Sequence, residues 1–357
     1  MGTSAAPIVN FYQHRNYIPL LTRNVYHDEP NADVVFSGSL PRVQCELARF
    51  VEKVTFERVG IMRGEYVLLM DAEALLLPDG TCIKINVACE DQWADQALNE
   101  ILRSSVFSAA RAQIAQHWHA LPVHDNLGIL SDANNANYYH ASLEMIPRIR
   151  FLAPHSSAIY IPQSYRHRPN IQHIVERMSP HIPFVSTPHA IRVRDPIVAH
   201  DQLSSAGVHW LRTACGLRIE PGTRRIYIRR GKTARGGGLH ETESFQAILR
   251  EFDIEAIDFG QGELTLAQQV ERLAGAGLII APHGAGIANI VHLGTPMGLL
   301  EILPLQTART MWAEVCAMLG YSYRGIYSTV TTDEGEIVPD YDELRATVIA
   351  MLSRQAA

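Results

Sequence analysis

The chain has 357 residues, 47% hydrophobic and 19% charged, with 37 acidic residues against 31 Lys and Arg. That length exceeds one ordinary core and suits two domains. The net charge of −6 argues against a general nucleic-acid binder, whose phosphate contacts need a surplus of cations on one face, while leaving room for a local basic site. Cys45, Cys82, Cys89, Cys215 and Cys316 form no C-x-x-C pair, which argues against a zinc cluster or a disulfide framework and fits a reducing cytosol.

The opening MGTSAAPIVNFYQHRNY has no basic segment leading into an apolar one, so no secretory signal is expected, and Gly2 alone is weak support for myristoylation. ADVVFSG (32–38) reads as a strand, and EYVLLMDAEALLLPDGTCIKI (65–85) as strands joined by turns, with PDG an explicit turn signal. Residues 94–118 carry apolar side chains at helical spacing. A βα alternation starts at about 126: LGIL is a strand, NYYHASLEMIPRIRFL a helix interrupted by Pro147, SAIYIP a strand, NIQHIVERM a helix and IPFVS a strand. HAIRVRDPIVA (189–199) reads as an extended connector, with a domain boundary near 190.

Beyond it the alternation is cleaner. Helices are expected over 202–216, 241–252, 265–276 (with Thr265 as N-cap), 286–294, 308–320 and 340–352. Strands are expected at RRIYIRR (224–230), IEAIDFG (254–260), GLIIAP (277–282), GLLEILP (298–304) and YSYRGIY (321–327). Single helices between strands imply right-handed crossovers and parallel sheets, so the fold class is α/β. Residues 273–300 lack Asp, Glu, Lys and Arg over a length that could span a bilayer. Pro282, Pro296, the glycines and two histidines make a buried strand–turn–helix–strand the better reading.

In an open parallel sheet, ligands bind beyond the carboxyl ends of the strands. That rule selects three loops. In IRRGKTARGGG, Arg229, Arg230, Lys232 and Arg235 gather cations on a glycine-rich turn suited to a diphosphate, although a solvated basic loop has the same composition. A P-loop is excluded because Ile226 stands where its first glycine belongs. DFGQGE follows the next strand. In APHGAG, Gly284, Ala285 and Gly286 open the end of a strand onto a helix N-terminus, and His283 is placed to bond a sugar hydroxyl or a phosphate oxygen. Glu301 on the following strand is either a helix cap or a partner for sugar hydroxyls. In the first half, His140 and Glu144 stand four apart on one helical face, as a general-base pair or as the polar edge of an ordinary helix. His117, His119 and His124 match no common zinc spacing, and no GxSxG, HExxH or GxGxxG is present.

Four blocks, taken in order, resemble glycosyltransferase family 61, which includes protein O-linked GlcNAc transferases, plant xylosyl- and arabinosyltransferases and bacterial capsule-type enzymes. They are NYYHASLEMIPRI, RRIYIRRGKTARGGGLHETE, APHGAGIANIVHL and GLLEILP, and the resemblance spans about residues 125–330. Ala141 replaces the family's usual tryptophan, Arg229 a common serine and His240 a common asparagine. The resemblance implies a GT-B architecture of two Rossmann-like doubly wound domains facing across a cleft. It places an acceptor-side domain at 1–190 and a nucleotide-sugar-binding domain at 191–330. Residues 331–357 would form a closing helix that packs back on the first domain.

It further implies an inverting transfer with no metal and no cofactor, the nucleotide sugar being a substrate and a saccharide or glycoconjugate the acceptor. Donor-binding residues are then Arg230, Arg235, His283, Gly284, Ala285, Gly286, Asn289 and Glu301, with Glu144 or His140 as base. The expected setting is surface polysaccharide assembly in the cytoplasm, with peripheral association at the inner face of the membrane. Ala141 leaves room for the alternative of a non-catalytic nucleotide-sugar or polysaccharide-binding protein of the same fold.

Overall fold

The structure, a computed structural model, describes residues 8–10, 17–26, 34–36, 54–69, 74–85, 100, 104–130, 137–166, 168–200, 203–230, 238–260, 263–294, 297–304 and 311–355. The chain forms two compact units, one of Met1–Val25 and Thr55–Leu203, the other of Tyr26–Val54 and Ser204–Ala357.

Strands are numbered along the chain: β1 (Ile8–Asn10), β2 (Tyr17–Tyr26), β3 (Val34–Phe36), β4 (Val54–Met62), β5 (Glu65–Leu69), β6 (Ala74–Leu76), β7 (Cys82–Lys84), β8 (Val123–Asp125), β9 (Leu127–Ile129), β10 (Ala158–Tyr160), β11 (Phe184–Val185), β12 (Ile191–Arg194) and β13 (Ile197–His200). All but β3 build the first unit, as two six-stranded sheets ordered β1-β7-β6-β5-β12-β8 and β11-β10-β9-β13-β4-β2. The PDG turn closes β6 onto β7: Gly80 takes a φ of +86°, and the Asp79 carboxylate accepts from Thr81 N at 2.9 Å. Both sheets are mixed, because β12 runs antiparallel to β5 and β13 antiparallel to β4. The first unit is therefore not the all-parallel, doubly wound domain expected.

The connector expected at 189–199 is instead two strands, one in each sheet. Ile191, Val193, Ile197 and Val198 are buried, and the chain turns between the strands at Asp195, whose φ is +51°. The Asp195 carboxylate holds that turn by accepting from Gly64 N and Arg63, each at 2.8 Å. Ladder pairing on both sides ties these strands into the first unit, and the boundary falls at Leu203/Ser204 rather than near 190. Tyr66, Leu68 and Val193 from one sheet meet Leu127, Ile129 and Tyr160 from the other in a shared core.

Helices in this unit are α1 (Ser105–Gln116), α2 (Ile149–Leu152), α3 (Gln163–Arg166) and α4 (Pro169–Met178). The helix expected over 94–118 is observed from Ser105; its earlier part, Glu100 and Ser104 apart, lies outside the described residues. The helix expected at 137–152 is broken into three pieces: a π-helical turn His140–Met145, a 3-10 turn Ile146–Arg148, and α2. Pro147 supplies the reason, since it has no N–H for an i−4 carbonyl. The backbone widens ahead of it, with Ile146 N–H donating to Ala141 O.

The second unit follows the expected alternation closely. Its strands are β14 (Arg224–Arg229), β15 (Ile254–Asp258), β16 (Ala276–Pro282), β17 (Gly298–Pro304), β18 (Ser322–Ser328) and the small pair β19 (Val330–Thr331) and β20 (Ile337–Val338). Its helices are α5 (Ser205–Cys215), α6 (Glu243–Glu251), α7 (Leu266–Arg272), α8 (Met311–Leu319) and α9 (Tyr341–Gln355). Ser204, Thr242 and Thr265 cap α5, α6 and α7; Thr265 and Gln268 form a reciprocal capping box. The main sheet is parallel throughout, in the order β15-β14-β16-β17-β18-β3.

The described residues of 273–300 form a strand, a 3-10 helix and the start of a strand in this unit, and among the described residues no helix is long and apolar enough to cross a membrane. Leu344, Val348 and Met351 of α9 are buried with Tyr227, Phe245, Ile280 and Ile326, so α9 packs on the core of the second unit.

Candidate functional site

Counting only β14 to β18, the order is second, first, third, fourth, fifth. This is a doubly wound order, and its topological switch point lies between β14 and β16, where crossovers leave to opposite faces and open a crevice at the strand ends. Arg230 follows β14 directly, and His283 follows β16. Two of the three loops selected from sequence thus meet at the position the topology reserves for a ligand.

The side chains there are held closely. Successive residues of a strand face opposite ways, and the two arginines of IRR part accordingly. Arg229 is taken by Glu241 in a two-pronged ion pair, with both N···O distances 2.7 Å. Glu241 raises the pKa of Arg229, so this cation is engaged within the protein. Arg230 instead donates from Nη1 to the carbonyl of His283, and burial lowers its pKa. Its guanidinium lies over Gly284, where a Cβ would stand 2.9 Å from Nη1 and 3.1 Å from Cζ. Gly284 leaves that space to the guanidinium; its own backbone, extended at φ 167°, does not call for glycine. Gly238, at the far end of the glycine-rich loop, similarly abuts the Arg230 carbonyl. Arg235 and Lys232 lie outside the described residues.

His283 is fixed from behind. Its backbone N–H donates to Ile302 O at 2.8 Å, and its Nδ1 lies 2.6 Å from Glu301 Oε1. The other carboxylate oxygen of Glu301 accepts from the Tyr323 hydroxyl at 2.6 Å. Register explains the convergence. Glu301 pairs with Ala281 on one side and Gly325 on the other, two small residues that leave room beside it. His283 lies two residues past Ala281 and Tyr323 two before Gly325, so both reach Glu301 diagonally. The Glu301 side chain has no exposed surface, whereas the His283 side chain keeps 14% of its own. Burial and the Glu301 charge push the Tyr323 phenol and the Cys316 thiol well up, which keeps both as protonated, neutral groups. A carboxylate bonded to Nδ1 favours the ring tautomer whose Nε2 is the second, outward-facing function.

Glu301, read from sequence as a cap or a partner for sugar hydroxyls, is thus the internal partner of His283. Asn289 is also internal: it is 1% exposed, and its amide donates to Gln269 at 2.7 Å, tying the 3-10 helix Ala285–His292 to α7. Gly284 and Ala285 are half-buried and Gly286 is exposed, at the start of that helix, whose first N–H groups have no intrahelical acceptors. Sequence reasoning missed Tyr323 and Glu241. The period-2 pattern shows which face Tyr323 occupies, but only strand register shows that it meets Glu301; Glu241 lies in the loop ahead of α6, where no strand pattern places it.

In the first unit, His140 Nδ1 lies 2.6 Å from Glu144 Oε2 on the π-helical turn, with side-chain exposures of 14% and 27%. The Tyr139 ring stands edge-on to His140 at 5.0 Å. The expected pairing is present, on a wider helix than expected. Among the described residues, no group of three or more His, Cys, Asp or Glu is placed to hold a metal ion.

With this geometry in view, the four-block resemblance has a direct counterpart. Residues 138–299 match the family model of glycosyltransferase 61. The match begins two residues before His140, spans the arginine loop and the His283–Gly286 turn, and ends two residues before Glu301. No curated protein matches the chain. The glycosyltransferase 61 match implies a sugar donor and an acceptor as the two substrate types.

Proposed function

We propose that the chain is an inverting, metal-independent glycosyltransferase that uses a nucleotide-sugar donor and a saccharide or glycoconjugate acceptor. The observation that carries this reading is the pairing of Arg230 and His283 at the β14/β16 switch point, with His283 backed by buried Glu301. The donor diphosphate is held by Arg230 and the N–H groups at Ala285 and Gly286, with Arg235 as a further cation on the loop, while the His283 Nε2, an acceptor when Nδ1–H faces Glu301, takes a hydroxyl of the donor. In the transfer, an acceptor hydroxyl oxygen attacks the anomeric carbon and the bond from that carbon to the diphosphate oxygen breaks. The hydroxyl proton passes to the His140–Glu144 pair, which acts as one base. Negative charge grows on the leaving diphosphate, and preorganised cations and N–H dipoles offset it without having to reorganise.

The reading requires a GT-B arrangement that brings the donor held by the second unit to the base of the first. Its setting is surface-polysaccharide assembly in the cytoplasm, at the inner face of the membrane.

The test is a thermal-shift panel of UDP, GDP and CMP, with their sugar conjugates, followed by donor hydrolysis and transfer assays. Stabilisation follows RT ln(1 + [L]/Kd), about 2.7 kcal/mol at a hundredfold excess over Kd, or about 5–10 °C. One nucleotide class should stabilise the protein and be turned over. No shift with any of them refutes the donor assignment, and a shift without turnover refutes the enzyme reading in favour of a binding protein.

A further inference from the structure

We infer that a cavity of about 300 Å³ within the first unit is a subsite for a neutral sugar ring. The inference rests on the glycosyltransferase reading only in identifying that ring as part of the acceptor. The cavity lies beyond the carboxyl ends of parallel strands: Tyr160 is the last residue of β10, and Thr187 stands two residues past the end of β11. This is where an open parallel sheet receives ligands, and it is separate from the switch point of the second unit.

The lining has two characters. Leu68 and Leu69 from the end of β5, with Pro188, make an apolar wall, while Tyr160, Gln163, Thr187 and His189 supply hydroxyl, amide and imidazole groups. A pyranose has the same division, with C–H groups on its faces and hydroxyls around its rim. A glutamine amide both donates and accepts, as each sugar hydroxyl does, and so suits a pair of neighbouring hydroxyls. Among the described residues, no Lys, Arg, Asp or Glu lines the cavity. A phosphate or uronate brought there would lose its hydration with no ion pair in return, so the ligand is uncharged.

Tyr160 and Leu68, each 4% exposed, are part of the core shared by the two sheets, which gives the cavity a rigid floor. The Tyr160 hydroxyl donates to Thr187 O at 3.4 Å, a long bond that a ligand hydroxyl could replace at little loss. The volume is at the small end of ligand pockets, which run from about 300 to 1,000 Å³. One ring fits better than a long oligosaccharide.

Saturation-transfer NMR on the full chain tests this, with maltose, lactose and cellobiose as probes and glucuronate as the charged control. At least one neutral disaccharide should bind with a Kd of about 1–10 mM, and glucuronate should not bind in that range. Gln163→Leu and the exposed-site variant His189→Ala should each weaken that binding by about fivefold or more, with thermal stability retained. Absence of binding by all three disaccharides overturns the subsite, as does equal binding of glucuronate or wild-type affinity in both variants. Donor hydrolysis by the wild-type protein, measured in parallel, separates the two readings. Saccharide binding that depends on Gln163 and His189 without hydrolysis keeps the subsite and removes the transferase; hydrolysis without saccharide binding does the reverse.

Discussion

Replacing Glu301 by Gln changes one buried atom and should reach the surface through His283. The glutamate accepts two bonds of 2.6 Å, from His283 Nδ1 and from the Tyr323 hydroxyl. Glutamine has one carbonyl oxygen and one NH2 group, so it cannot accept from both. Either the Tyr323 hydroxyl loses its acceptor, or the imidazole takes the other tautomer and its outward Nε2 changes from acceptor to donor. A hydrogen bond to a charged group contributes about 1.5–3 kcal/mol, which corresponds to about 10–100-fold if that amount of His283 alignment is lost at the donor. The assay is kcat/KM for donor hydrolysis or transfer in Glu301→Gln, His283→Ala and the double variant, with thermal unfolding alongside. If Glu301 acts through His283, Glu301→Gln should have no further effect once His283 is alanine. The Nδ1–H proton NMR signal of His283 should shift in the single Glu301→Gln variant. A folded Glu301→Gln protein within twofold of wild type (below about 0.4 kcal/mol), or additive losses in the double variant, would refute the reasoning.

Gly284→Ala should act on the cation and not on the backbone, because φ at Gly284 is extended. The added methyl would stand 2.9 Å from Arg230 Nη1 and displaces the guanidinium, the flexible end of its side chain, at little cost in stability. Donor Kd by calorimetry should rise about tenfold or more with a small change in unfolding temperature, and an unchanged Kd would remove Arg230 from the donor site. Arg345 on α9 forks onto Glu251 on α6 and holds the Glu251 carboxyl below its usual pKa. A depressed carboxylate pKa contributes stability above the unfolded-state value, about 4.3, and that contribution is lost as pH falls through the folded value. Urea denaturation between about pH 6 and 3 should therefore show an acid-dependent loss that Arg345→Ala reduces, and identical pH slopes in the two proteins would show the fork is inert.

The second unit was legible in the sequence nearly element by element, because local signals there agree with the fold. Thr265 caps its helix as read from sequence, Ser204 and Thr242 cap theirs by the same chemistry, and the apolar runs of β16 and β17 are buried as parallel strands require. The first unit was less legible for equally physical reasons. Ile191–His200 has the alternation of strands but no helix between them, and sequence does not show that two such strands enter different sheets. The pair His140 and Glu144 was visible from its spacing; the π-helical turn that carries it follows from how the chain accommodates Pro147.

By itself the sequence determined the residue types at the site: cations on a glycine-rich loop, a histidine before Gly-Ala-Gly, and a carboxylate on the next strand. It also determined their order along a βα chain, because hydrophobic period and turn chemistry act over a few residues. Only the tertiary structure decided which residues they meet. Parallel register placed Glu301 between Ala281 and Gly325, and so behind His283 with Tyr323 on its far side. Strand alternation sent Arg229 to Glu241 and Arg230 to Gly284. Those pairings join residues far apart in the chain, and which of them meet depends on how whole strands align, which no local pattern encodes.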